Sequence, residues 1–181
     1  MKGLVFTEFM EMVESTWSFD MADAIIARAN VAGAYTSVGN YPHEEMVALV
    51  SALSVESGKP VADLIRIFGK HLFGRFLLAY PRFFEGIEGS FHFLSGIEKI
   101  IHAEVRKLYP DADLPTFEVE SAPGSLTLTY FSEHPFADLA HGLIEGCLTH
   151  FGEDITLRRA PPPPNSGAQA SFILTRRDSH D

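Results

Sequence analysis

Eight histidines and one cysteine are the residues of this 181-residue chain best suited to metal or nucleophile chemistry. Cys147 stands on the apolar stripe of a predicted helix, where a cysteine is usually a small buried hydrophobe and not a nucleophile. One cysteine also excludes an internal disulfide framework and any multi-cysteine zinc or iron–sulfur site. His43 precedes Glu44 and Glu45 and reads as a surface residue at a helix start, and His180 falls in the tail. His71, His92, His141 and His150 have no histidine partner one helical turn away, which argues against zinc. His102 differs in its setting, beside Ile101 and one turn before Val105, at the edge of a regular apolar stripe. A neutral imidazole facing a large apolar cavity can serve as an axial ligand to haem iron. A half-buried histidine with a backbone partner is commoner, so spacing alone leaves both roles open.

A second constellation is Tyr130, Ser132 and His134. On an extended strand these alternate positions share one face, placing a phenol, a hydroxyl and an imidazole about 7 Å apart. Three donors on one face can hold an anion such as a paired carboxylate. A polar strand end before Pro135 is the plainer alternative. Enzyme motifs are missing: no GxSxG, HExxH, P-loop or GxGxxG occurs. Gly86-Ile87-Glu88-Gly89 lacks the lysine and the preceding strand of a phosphate cradle.

The elements that must position these groups change character along the chain. Val47, Val50 and Leu53 recur at helical spacing between Glu44 and Ser57, and Gly58-Lys59-Pro60 ends that element. Val61, Leu64, Ile65, Phe68, Leu72, Phe73 and Phe76 form a stripe wide enough for a helix buried on several sides, until Pro81 breaks it. Phe91, Leu94, Ile97, Ile101, Val105 and Leu108 predict one regular helix, closed by Tyr109-Pro110-Asp111. After Pro115 the period becomes two, predicting a β-hairpin that turns at Pro123-Gly124. Phe136 to Phe151 returns to helical spacing through Leu139, Leu143, Cys147 and Leu148. Two strands, Ile155–Leu157 and Ser171–Thr175, follow, joined by a proline-rich loop from Pro161 to Gly167. That loop reads as a hairpin connection, with a proline-rich docking site as the alternative. Residues Asp178 to Asp181 are expected to fray. The expected class is α+β: a helical N-terminal lobe, then a small antiparallel sheet with one crossing helix.

Composition narrows the partners. Fourteen Lys and Arg against 24 Asp and Glu give a net charge of −10, which argues against a nucleic-acid surface. No apolar run reaches the roughly 20 residues of a membrane-spanning helix, and an acid at Glu8 interrupts any secretory core. The chain is expected to be cytoplasmic. Fifteen phenylalanines supply aromatic volume for lining a cavity.

Together and in this order, the two constellations resemble the haem nitric oxide/oxygen binding (H-NOX) family, the sensor domain also found in soluble guanylate cyclases. Met1-Lys2-Gly3 is similar to the family's N-terminus, and His102-Ala103-Glu104-Val105-Arg106-Lys107-Leu108-Tyr109-Pro110 resembles its proximal-histidine segment. Leu114-Pro115 falls at the place of the haem-distorting proline. Tyr130-Phe131-Ser132 matches the start of the Tyr-x-Ser-x-Arg propionate clamp, and Gly142-Leu143-Ile144-Glu145-Gly146 resembles the following helix. The clamp departs from the family at its third position, where His134 replaces arginine. Arginine offers a permanent charge and a bidentate fork; histidine offers one donor, charged only when protonated.

The resemblance implies a single domain over residues 1–181, with a distal helical lobe over roughly 1–60 and a proximal lobe over 61–181. It implies non-covalent haem b between the lobes, with His102 as the iron ligand and Tyr130, Ser132, His134 and Pro115 around the cofactor. Its distal positions are Val5, Phe9, Leu72, Phe73, Phe76, Leu139 and Leu143, all apolar. Leu139 stands where oxygen-binding members carry a tyrosine. The implied function is therefore a sensor of nitric oxide, also binding carbon monoxide, and not an enzyme. The gas would weaken the iron–imidazole bond and free the helix bearing His102. A separate sensor histidine kinase or cyclic-di-GMP enzyme would read the change. A haem-free descendant holding an apolar ligand is the alternative.

Overall fold

The computed structural model describes residues 1–177; the expected fraying at 178–181 lies outside the described residues. Four helices open the chain: α1 (Gly3–Thr16), α2 (Phe19–Ala29), α3 (His43–Ser57) and α4 (Val61–Ala79). Ser18 caps α2 by accepting a hydrogen bond from the Met21 amide at 3.1 Å. Gly58 ends α3 in the left-handed conformation, at φ 71°, as the sequence predicts. On α3 the inward face carries Met46, Leu49, Val50 and Leu53, whereas Val47, expected on it, is 39% exposed. One residue further round the helix turns a side chain by about 100°. The breadth of the α4 stripe has its expected consequence, since α4 packs on α1, α3 and α7.

The predicted single helix through His102 is instead three pieces: α5 (Ser90–Ser95), a π-helical turn (Ile97–His102) and α6 (Ala103–Leu108). Gly96, a poor helix former, sits at the break. The wider π turn inserts a residue without disturbing the apolar order, so spacing alone reads as continuous helix. No residue from Ile97 to Leu108 is fully buried.

The C-terminal half holds β1 (Thr116–Ala122), β2 (Ser125–Phe131), α7 (Ala137–Phe151), β3 (Ile155–Ala160) and β4 (Ala170–Arg176). The strands form one antiparallel sheet in the order β1-β2-β4-β3. Pro123-Gly124 makes the predicted two-residue turn, with Gly124 at φ 72°. The proline-rich loop connects the paired strands β3 and β4, the hairpin role expected of it.

Two hydrophobic cores result. The first joins α1 to α4 through Phe6, Phe9, Leu49, Leu53, Leu64 and Phe68; the second joins the sheet to α5 and α7 through Phe93, Leu128, Ile144, Cys147 and Phe172. Helix α4 serves both, with Leu72 in the first core and Phe73 in the second. It crosses α7 at a glycine contact. A Cβ on Gly142 would lie 2.1 Å from the Arg66 carbonyl oxygen, and one on Gly69 2.8 Å from the Gly142 Cα. Only bare backbone permits that approach. No helix among the described residues is long and apolar enough to cross a membrane.

Candidate functional site

A cavity of about 270 Å³ lies where the two cores meet. Val5 of α1, Phe76 of α4, and Leu139 and Leu143 of α7 form one side; Ile97, Ile101, His102 and Val105 form another, and Leu114, Pro115 and Phe117 continue it. Phe73, Tyr130, Ser132 and His134 also reach it, so ten of the twelve residues singled out in the sequence share one cavity. The exceptions are Phe9 and Leu72. Phe9 is fully buried and meets the Phe68 ring edge-on at 5.2 Å; Leu72 is 3% exposed in the same helical core. Each lies one turn along its helix from a residue that does line the cavity, Val5 or Phe76, and that turn carries it into the core.

His102 projects from the end of the π turn. Its Nδ1 pairs with Glu98 Oε1 at 2.9 Å, and the same oxygen accepts the Phe117 amide at 2.9 Å. An ionised carboxylate only accepts, so Nδ1 carries the proton and Nε2 keeps its lone pair. Nε2 has no hydrogen-bond partner among the described residues. Burial pushes the imidazole below its ordinary titration range, against the opposing pull of Glu98, which keeps it neutral. Neutral imidazole with one nitrogen oriented and the other free is the form that ligates a metal. No cluster of three or more histidine, cysteine or acidic side chains suited to a metal occurs among the described residues. A lone imidazole in an apolar cavity suits an iron whose other ligands come from a macrocycle. The residues present fit haem.

The anion-binding group differs from its expected arrangement. Strand β2 ends at Phe131, so Ser132 and His134 stand in the turn before α7 and not on a continuing strand face. Pro135 lacks an amide proton and cannot extend the ladder. The turn is pinned instead. The His134 amide donates to Ser132 Oγ at 3.0 Å, and Gln169 Nε2 donates to the carbonyls of Ser132 and His134 at 2.6 and 2.8 Å. Tyr130 is buried, and burial raises its phenol above the usual range, so it stays a donor. His134 Nε2 pairs with Asp113 Oδ2 at 2.5 Å, while its buried Nδ1 has no partner among the described residues. His43, expected at the surface, is half-buried, its ring 4.2 Å from that of His134.

Several site residues escaped the sequence reading. Tyr80 and Tyr109 line the cavity, and burial together with the neighbouring Tyr109 hydroxyl raises the Tyr80 phenol. Each precedes a proline at a helix end, which was the available signal. Lys2 also lines the cavity and pairs with Asp111 at 2.7 Å, linking α1 to the loop after α6. Glu98 was legible only as an acid four residues before His102. Cys147 is fully buried and its thiol is pushed up to about 12 by burial, in keeping with a structural role.

The Haem-NO-binding family model matches residues 2–159. A crystal structure of an unliganded Fe(II) H-NOX protein from K. algicida is 33% identical, covers 100% of this chain and 99% of its own, and superposes with a TM-score of 0.90. A solution structure of the IWP-051-bound H-NOX from Shewanella woodyi, in the Fe(II)CO state, is 38% identical, covering 100% of this chain and 97% of that one, at a TM-score of 0.84. A crystal structure of an S. oneidensis H-NOX protein in the Fe(II)NO state shares the fold at 23% identity and a TM-score of 0.85, over 96% and 97% of the two chains. Among curated proteins no match was found. With a matching model over most of its length and relatives above 30% identity that span it end to end, this chain belongs to the Haem-NO-binding (H-NOX) family.

Proposed function

We propose that this chain is a cytoplasmic haem-based sensor of nitric oxide, not an enzyme, that also binds carbon monoxide and signals to a separate output protein. The observation that carries the reading is His102, neutral, oriented through Nδ1 by Glu98, and presenting a free Nε2 in an apolar cavity. Non-covalent haem b, when bound, would supply a ferrous iron able to take a diatomic gas. His102 would hold that iron. The Tyr130 and Ser132 hydroxyls would hold the propionates; because Asp113 takes the Nε2 proton of His134, the unpartnered Nδ1 of that ring would join them as a donor only in the imidazolium form. Pro115, which lines the cavity from the loop before β1, would lie beside the macrocycle.

Val5, Phe76, Leu139 and Leu143 offer the gas no hydrogen-bond donor. Bound dioxygen gains from such a donor because it carries partial negative charge, whereas nitric oxide and carbon monoxide need little help. The wall these four residues form therefore favours those two. The Fe(II)CO state of the Shewanella woodyi relative, 38% identical, supports carbon monoxide as one of them. His102 stands on a segment without a fully buried residue, so a change in its position moves that segment at little packing cost. That segment biases an equilibrium between two arrangements of the lobes, which a sensor histidine kinase or a cyclic-di-GMP enzyme reads. The choice of these partners rests on family analogy.

The deciding experiment is the absorption spectrum of the reduced protein in argon, in air and with nitric oxide. A change with nitric oxide and none with air is expected. His102→Gly should lose haem unless imidazole is supplied. Haem uptake by that variant with an unaltered spectrum and no imidazole would overturn the reading.

A further inference from the structure

Glu98 is unlike the other acids near the cavity because one of its oxygens does two jobs. Oε1 receives both the His102 Nδ1 proton and the Phe117 amide proton, each at 2.9 Å. The other oxygen faces the Arg106 guanidinium at 3.9 Å. The π-helical turn makes this possible by carrying both Glu98 and His102 within six residues, beside the start of β1. Phe117 is two residues past Pro115, and its ring lies 6.1 Å from that of His102 and 5.4 Å from that of Tyr130. One carboxylate thus joins the imidazole to β1, the strand that follows the proline loop and pairs with Tyr130 of β2.

We propose that Glu98 is the positioning residue of the axial histidine: it sets how firmly Nε2 donates to iron and couples displacement of the His102 ring to β1. This rests on the haem reading above. A carboxylate on Nδ1–H increases electron density at Nε2 and strengthens donation to the metal. The shared oxygen adds a mechanical consequence. As long as the imidazole keeps its bond to Oε1, its displacement pulls on the Phe117 amide through the shared oxygen. The chain therefore reports axial ligation to its sheet through a hydrogen bond as well as through helix movement.

Two variants separate the two effects. Glu98→Gln keeps a neutral acceptor for the Phe117 amide but withdraws the charge from Nδ1; Glu98→Ala removes both. In reduced, haem-loaded protein, resonance Raman should place the iron–imidazole stretching band lower in both variants than in the wild type. In haem-free protein, hydrogen exchange at the Phe117 amide should quicken on the order of tenfold in Glu98→Ala, the effect of losing a bond to a charged acceptor, and much less in Glu98→Gln. A haem-loaded protein whose stretching band is the same in all three forms overturns the inference and leaves the sensor reading intact. Unchanged Phe117 exchange in Glu98→Ala overturns the coupling to β1. A wild-type protein that takes up no haem overturns the sensor reading itself.

Discussion

Leu139 and His102 face the same cavity from elements held in different ways. Leu139 rides on α7, which crosses α4 at bare backbone and packs into both hydrophobic cores. His102 rides on a π turn followed by a helix of six residues, with no fully buried side chain between Ile97 and Leu108. Ile100 and Leu108 point outward, at 44% and 57% exposure. One wall is thus part of the close-packed interior, where displacement means cavities or clashes. The other rests on the half-buried Ile97 and Ile101 and is tied by polar contacts: Glu98 to Phe117, Lys2 and Asn40 to Asp111, and Asp113 to His134. A receptor needs this contrast. A rigid wall selects what enters, and a lightly packed wall can respond without unfolding the rest.

The contrast is open to a graded set of measurements. Phe9→Ala, in the core behind the rigid wall, should cost about 3–5 kcal/mol in denaturant unfolding. A loss below about 1 kcal/mol would mean that the helical core is not what holds this wall. Gly142→Ala should cost about 1–3 kcal/mol, because its Cβ would meet the Arg66 carbonyl oxygen at 2.1 Å and force α4 and α7 apart. Leu139→Tyr adds a donor to the rigid wall, and one neutral hydrogen bond, about 0.5–1.5 kcal/mol, should raise oxygen affinity up to about tenfold. Titrating the reduced variant and the wild type with oxygen reads that change.

On the other wall, Ile100→Ala should shift stability by less than about 0.5 kcal/mol, since the side chain is nearly half exposed. A larger loss would place Ile100 in a packing role this structure does not show. The smallest effect concerns the link between the walls. The Asp111 carboxyl is held down to about 2 by hydrogen bonds from Lys2 and Asn40. A carboxyl depressed in the folded state contributes stability above its unfolded value, near 3.9, and loses that contribution as pH falls toward 2. An NMR titration of the Asp111 carboxyl carbon should therefore have its midpoint near 2. Lys2→Met should return that midpoint toward the ordinary carboxylate range.

The α+β class, the hairpin at Pro123-Gly124, helix α7 and the place of Tyr130 on β2 were legible in the linear order of residues, whereas Ser132, expected on the strand, stands past its end. Apolar period, proline and glycine are local signals, and a hairpin or a long helix needs only local agreement. The π turn was not legible, because spacings of three and four tolerate one added residue and only the backbone hydrogen bonds reveal it. Nor was the sorting of Phe9 and Leu72 into the core while Val5 and Phe76 reach the cavity. Neighbours one turn apart on a helix share a face, and only the packing partner decides which is covered. Residues remote in the chain were the hardest to see. The Glu98 carboxylate on Phe117, Asp113 on His134 and His43 against the same ring join positions 19, 21 and 91 residues apart, by contacts that exist only once the chain has folded around the cavity.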